Sequence, residues 1–190
     1  MIPAWNMAGI IPPIRPGQPG FCPDRSPYRV DLVDVIDRFA TTKERVGILQ
    51  GLLNYRAALT ASGATVGFQW LDGSFMENVE DVEGRAPNDI DVVTFFELPA
   101  GETQTSFLRG NADLFDRKKT KATFLVDAFP QVLGQQLTYS RVRQTVYWYS
   151  MWSHRRTGLW KGYLEVDLSP ANDAPAQSRL DSIVAKGLAP

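Results

Sequence analysis

The 190-residue chain is 44% hydrophobic and 22% charged, the balance of a folded domain and not of a disordered segment. Its 20 basic and 21 acidic side chains leave a formal charge of −1, so no global field draws nucleic acid or an anionic membrane, and any anion site has to be local. Cys22 is the single cysteine, which excludes an internal disulfide and argues against structural zinc, and no apolar run approaches the ~20 residues that span a bilayer, so a cytoplasmic protein with no membrane partner is expected.

Seven of the 13 prolines fall between Pro3 and Pro27, a composition that resists helix and central strand alike, and residues 1–30 are expected to form an extended arm. Its apolar members Trp5, Ile10, Ile11, Ile14 and Phe21 suit packing against a surface, most simply its own domain. The main domain is expected over residues 31–170, and residues 171–190 form a tail with one short helix after Ser178. Leu32, Val35, Ile36 and Phe39 recur at helical spacing, and a second helix starts at a capping box of Thr41 and Glu44, stopping at Gly63.

Thr65 to Leu71 alternates like a half-buried strand and runs into Asp72-Gly73-Ser74. Glu77 to Pro87 reads as turn or loop, and Asn88 to Phe96 as a more buried strand carrying Asp89 and Asp91. A third helix is expected over Ser106–Lys119, then a strand Thr123–Phe129 containing Asp127. A fourth helix is marked by Val142, Val146, Tyr149 and Trp152, with a last strand over Gly162–Leu168.

Asp89-Ile90-Asp91 carries the chemistry, because strand alternation sends both carboxylates to one face while Ile90 and Val92 enter the core. Two acids so close repel unless a cation lies between them, and oxygen-only donors favour a hard ion: Mg2+, with Mn2+ as the alternative. Gly73-Ser74 follows a strand directly and offers backbone N–H groups that a phosphate can approach closely, with the Ser74 hydroxyl as a further donor. Arg117, Lys118, Lys119 and Lys121 lie just before the Asp127 strand, where a cation reaches bound phosphates; a solvated helix end is an equally good reading of that run. Tyr147, Trp148, Tyr149, Trp152 and Trp160, among Arg141, Arg143, Arg155, Arg156 and Lys161, are read first as core and second as a base-stacking surface. His154, the only histidine, is read as a surface or packing residue.

Leu71-Asp72-Gly73-Ser74 followed by Asn88-Asp89-Ile90-Asp91-Val92 resembles the signature of the nucleotidyltransferase superfamily, which includes polymerase beta and the minimal nucleotidyltransferases. The likeness covers about Thr65 to Phe129. It implies an α+β fold: a small mixed β-sheet with helices packed mainly on one face, preceded here by the Pro-rich arm. It also implies metal-dependent transfer of a nucleoside monophosphate from an NTP or dNTP to a hydroxyl acceptor (RNA, DNA, a nucleotide or a protein), with pyrophosphate leaving. Asp89 and Asp91 would then hold the metal with Asp127 as the third carboxylate, Asp167 being the alternative, while Gly73, Ser74, Lys118, Lys119 and Lys121 would meet the nucleotide phosphates. The stretch Trp160–Leu168 is similar to an uncharacterised family of stand-alone bacterial proteins of this fold.

The link from Ser74 to Asp89 is longer than the usual spacer, and Glu77, Glu80, Asp81 and Glu83 within it are expected to lie near bound phosphates. By analogy with other stand-alone proteins of this fold, a toxin–antitoxin or phage-defence role is expected. The alternative is a catalytically weak, antitoxin-like partner that holds a toxin or effector through the arm and the aromatic helix.

Overall fold

The computed structural model describes residues 1–134, 136 and 138–187, so positions 188–190 of the expected tail lie outside the described residues. The arm ends in a short strand, β1 (Tyr28–Arg29). Upstream of it the arm lies on its own domain: Ile10 and Ile11 are buried, and the Trp5 indole donates to the Met76 carbonyl at 2.8 Å. Extended backbone leaves its amides and carbonyls free, and these bond across the surface, as when Asn78 donates to Gly9 O and Gly162 to Ile11 O.

α1 (Leu32–Phe39) buries Leu32, Val35, Ile36 and Phe39, the expected stripe. α2 (Lys43–Ser62) starts one residue later than expected: Thr42, not Thr41, accepts from the Arg45 amide, and Gly63 closes the helix at φ 92°. The spacing Thr41–Glu44 mimics a capping box, but the carboxylate is not what satisfies this helix start; a Thr cap of this kind is worth about 1 kcal/mol.

β2 (Gly67–Asp72) leads into a 3-10 turn, Ser74–Met76, and then α3 (Val79–Glu83), a short helix where loop was expected. β3 (Ile90–Phe96) begins one residue after Asp89. The expected third helix is broken into α4 (Gln104–Gly110), α5 (Ala112–Phe115) and α6 (Arg117–Phe124). Asp116 causes the second break, since its side chain accepts from the Lys118 and Lys119 amides and caps a new helix. α6 therefore runs through Phe124, and β4 (Val126–Val132) starts three residues later than Thr123.

α7 (Tyr139–Trp152) and β5 (Leu164–Asp167) follow. The expected short tail helix is instead α8 (Asp173–Ala185), thirteen residues that bury Ala176 and Leu180 against α1 and α2. Arg56–Asp173 and Arg179–Asp37 ion pairs bind it to those helices, so residues 173–185 belong to the domain.

The fold is α+β, a five-stranded open mixed sheet in the order β1-β5-β2-β3-β4 with eight α-helices among the described residues. β2 pairs antiparallel with β3 and β5, while β3–β4 and β5–β1 are parallel. Most helices cover one face, where Leu71, Ile90, Val92, Val126, Leu164 and Val166 meet α1, α2 and α8. On the other face α7 lays Trp148 and Trp152 over Trp70, Val93, Phe129 and Tyr163. Among the described residues no helix is long and apolar enough to cross a membrane.

Candidate functional site

The register of the central strands builds the site. Asp72 on β2 stands opposite Asp91 on β3, and Asp91 stands opposite Asp127 on β4. Residues opposite each other across neighbouring strands share a face, so three carboxylates form one row at strand spacing, roughly 5 Å apart. Asp89, two residues before Asp91, approaches the same end of that row. The row continues the aromatic face: Trp70, Val93 and Phe129 lie two residues from Asp72, Asp91 and Asp127 respectively. Apolar packing therefore fixes the strands from which the acids project.

Asp167 pairs with Phe68, at the far end of β2 from Asp72. The structure thus brings Asp127, and not Asp167, beside Asp89 and Asp91. Gly73 closes the near side of the row. At φ 86° it adopts a conformation that L side chains avoid, and a Cβ there would lie 2.4 Å from Asp91 Oδ2. Ser74 is half-buried at the first position of the 3-10 turn, and the turn closes through the Met76 amide donating to Gly73 O.

Of the three lysines expected to meet phosphate, one reaches the acids. Lys121 Nζ lies 2.8 Å from Asp89 Oδ2 and 2.9 Å from Asp127 Oδ2. Arg117, one helical turn earlier on the same face of α6, places Nε and Nη2 on the two Asp127 oxygens at 2.6 Å each. Lys118 and Lys119 sit between these positions on the helix and face elsewhere: Lys119 pairs with Asp113, and Lys118 is exposed. They are not part of the assembled site.

Electrostatics sort the acids. Burial raises the Asp91 carboxyl to about 6, and the neighbouring Asp89 and Asp127 add to the rise. Burial also raises Asp72 to about 7, against the pull of Lys161 and with a further push from Asp91. Asp127 is desolvated too, but the Arg117 and Lys121 hydrogen bonds outweigh that and hold it below the usual carboxylate range.

Among the described residues no three carboxylate, histidine or cysteine side chains already surround one point. The donor set nevertheless suits a hard divalent cation. It is all oxygen, the Asp89 and Asp127 charges add to the rise that burial gives Asp91, and an ammonium already sits on two of the carboxylates. Asp89, Asp91 and Asp127 are the residues that would hold it.

Sequence reasoning missed a second layer. Lys161, 5% exposed, lies 2.8 Å from Asp72 Oδ1 and 3.0 Å from Glu77 Oε1, and Arg155 Nε donates to Glu77 Oε2 at 2.6 Å. Asp72 Oδ1 has no donor aligned for a hydrogen bond, so its pairing with Lys161 is Coulombic. The acids of the link are thereby accounted for: Glu77 by Lys161 and Arg155, Glu80 by Arg45, Glu83 by Arg85, while Asp81 accepts from Asn78. They do not line the row as free charges. Alternation along the sequence puts only Asp89 and Asp91 on one face; that Asp72 shares it comes from the β2–β3 register, and the Lys161 pairs join residues 84 and 89 positions apart. Of the aromatic series, Trp148 and Trp152 are core as expected, Tyr147 and Trp160 are 57% and 42% exposed, and His154 is exposed.

A family model described as a family of unknown function (DUF6932) matches residues 3–167. No curated protein and no solved structure matches the chain.

Proposed function

The chain belongs to the family of unknown function DUF6932, and on the geometry of its acidic row we propose that it is a metal-dependent nucleotidyltransferase of the nucleotidyltransferase fold. The single observation that carries this reading is the register Asp72–Asp91–Asp127, with Gly73 packed against the central carboxylate.

Asp89, Asp91 and Asp127 would hold Mg2+, or Mn2+ in its place, which when bound supplies charge neutralisation at the triphosphate and polarisation of the acceptor hydroxyl. The chain's own part is positioning. Gly73 lets the turn pack directly on the Asp91 carboxylate, which fills the space a side chain would need, and Ser74 adds a hydroxyl beside the row for a phosphate to meet. Arg117 and Lys121 are more than two-fifths exposed and reach the row on flexible stems, so they can exchange carboxylate for phosphate oxygens as substrate arrives. The Asp127 carboxylate, released from them, then lies beside the acceptor hydroxyl. Incubation with each labelled NTP and dNTP plus Mg2+ or Mn2+, read as pyrophosphate release and labelled product, tests the activity. No transfer from any nucleotide to added RNA, DNA, nucleotide or the protein itself counts against it. A place in a toxin–antitoxin or phage-defence system remains part of this proposal by fold analogy alone.

One observation favours a second reading, a partner-binding protein of the antitoxin kind. The outer face of α7 exposes Val142, Val146, Tyr147 and Met151 beside Arg143, and no acidic residue occurs in the helix. A neighbouring acidic amphipathic segment of another protein complements such a face. Loss of an effector complex on Val146→Asp, with nucleotide transfer absent throughout, would support that reading over the first.

A further inference from the structure

We infer that Lys161 is a positioning residue whose buried ammonium clasps both ends of the Gly73–Ser74 turn and holds that backbone ready for phosphate. The inference rests on the proposed nucleotide site and adds a part to it.

The turn runs from Asp72, the last residue of β2, through the 3-10 turn to Glu77. Lys161 pairs with the side chains at both of these ends, 2.8 Å from Asp72 and 3.0 Å from Glu77. From the opposite side Arg45, fully buried, donates to the Phe75 and Glu77 carbonyls at 2.7 and 2.6 Å. Three cations therefore grip one short segment: Lys161 at both flanking carboxylates, Arg155 at Glu77 alone, and Arg45 through the backbone. The stem is rooted in a fixed backbone, because the Lys161 amide donates to Ser153 O and the next amide, Gly162, to Ile11 O.

An ammonium 5% exposed is expensive to desolvate, and a hydrophobic side chain of similar length would fill the volume at lower cost. What the hydrophobic residue could not do is cancel two carboxylates that flank a strained glycine. Without the cation, Glu77 keeps only Arg155 and the buried Asp72 carboxyl loses the charge that draws it down, so nothing ties the two flanking side chains together across the turn. In the described contacts Lys161 pairs with neither Asp89, Asp91 nor Asp127, and it reaches the turn through Asp72 and Glu77.

The experiment compares wild type, Lys161→Met and Lys161→Arg by amide hydrogen exchange over residues 72–77 and by calorimetric titration with inorganic tripolyphosphate in Mg2+. Lys161→Met is expected to exchange ~10-fold faster in that segment while β3 and α2 stay protected, and to bind tripolyphosphate ~10-fold more weakly. Lys161→Arg, which keeps the charge, is expected to restore most of the protection and part of the binding, a rescue that a space-filling role would not give. Should Lys161→Met fail to fold, Glu77→Gln removes the anion at one end of the clasp and is expected to raise exchange in the same segment by a few-fold. Unchanged exchange over residues 72–77 in a folded Lys161→Met protein, or no rescue by Lys161→Arg, overturns the clasp. Faster exchange in Lys161→Met alongside a wild type that binds no tripolyphosphate supports the clasp and overturns only the phosphate reading of the turn.

Discussion

Arg117 lays two guanidinium nitrogens on the two oxygens of Asp127, each at 2.6 Å, so that α6 supplies the counter-charge to an acid buried at the start of β4. Lys121 completes this by spanning Asp127 and Asp89. The two cations occupy carboxylate oxygens that a divalent ion would share. Lys121→Met is therefore expected to tighten binding of Mg2+ alone by several-fold, since a competitor is gone, while weakening binding of the Mg2+–triphosphate complex. Calorimetric titrations with each ligand check the opposite signs. Both affinities falling together would mean that Lys121 is only a structural partner of the acids.

The carboxylates themselves should separate by position in the register. Asp89→Ala and Asp91→Ala are expected to abolish transfer, and Asp127→Asn to suppress it while triphosphate binding survives. Asp167→Asn is expected to behave as wild type, because Asp167 lies opposite Phe68, at the other end of β2. Transfer rates and nucleotide affinities measured on the four variants test this order, and an inactive Asp167→Asn would remove Asp127 from its assigned place.

Gly73 is constrained twice, by φ 86° and by Asp91 Oδ2 at 2.4 Å from a notional Cβ. Gly73→Val is expected to cost about 1–3 kcal/mol of stability through backbone strain alone, and to displace Asp91 as well. Denaturant unfolding measures the first effect and triphosphate titration the second. Wild-type binding in a destabilised Gly73→Val protein would exclude this turn as the phosphate cradle.

Much of this site was legible because it is local. Strand periodicity alone puts Asp89 and Asp91 on one face, and the position of Gly73 after an alternating run marks a turn with special backbone. The order of β3 and β4 in the sheet was not legible, and it is that order which decides between Asp127 and Asp167. Nor was the cap at Asp116, which splits the expected third helix and turns Arg117 and Lys121 toward Asp127 while leaving Lys118 and Lys119 outside. A side chain that caps a helix and one that merely ends a polar run look alike in sequence. Lys161 was least accessible of all: flanked by Trp160 and Gly162 it reads as a surface cation, and only the packing of β5 against β2 turns it inward to Asp72.

Linkage between protons and metal follows from the same row. Asp91 and Asp72 are raised from 3.8 to about 6 and about 7, burial being the leading cause of each. Between about pH 4 and 7 the folded protein thus keeps protons that the unfolded chain has released, and the dependence of stability on pH is negative there: the metal-free protein loses stability as pH rises. Asp127 and Glu80, held low by their cations, act in the opposite sense, but only as pH falls below the ordinary carboxylate range. Metal-free melting temperature is therefore expected to peak on the acid side of neutrality and to decline toward about pH 7. Mg2+ competes with the proton on Asp91, so its stabilising effect should be small near pH 5 and reach its plateau above roughly pH 7. At ~100 times the dissociation constant that plateau is about 2.7 kcal/mol, or roughly 2–4 °C for a chain of this size. Asp91→Asn should remove most of the Mg2+ effect and lessen the metal-free decline without abolishing it, because it deletes one raised carboxyl and leaves buried Asp72, itself raised to about 7 mainly by burial. Melting curves for wild type and Asp91→Asn, with EDTA and with Mg2+, measure both slopes across the range. A wild-type melting temperature that rises with pH in EDTA, or that ignores Mg2+ at every pH, would set the acidic row aside as a metal site and leave the α7 face as the better guide to function.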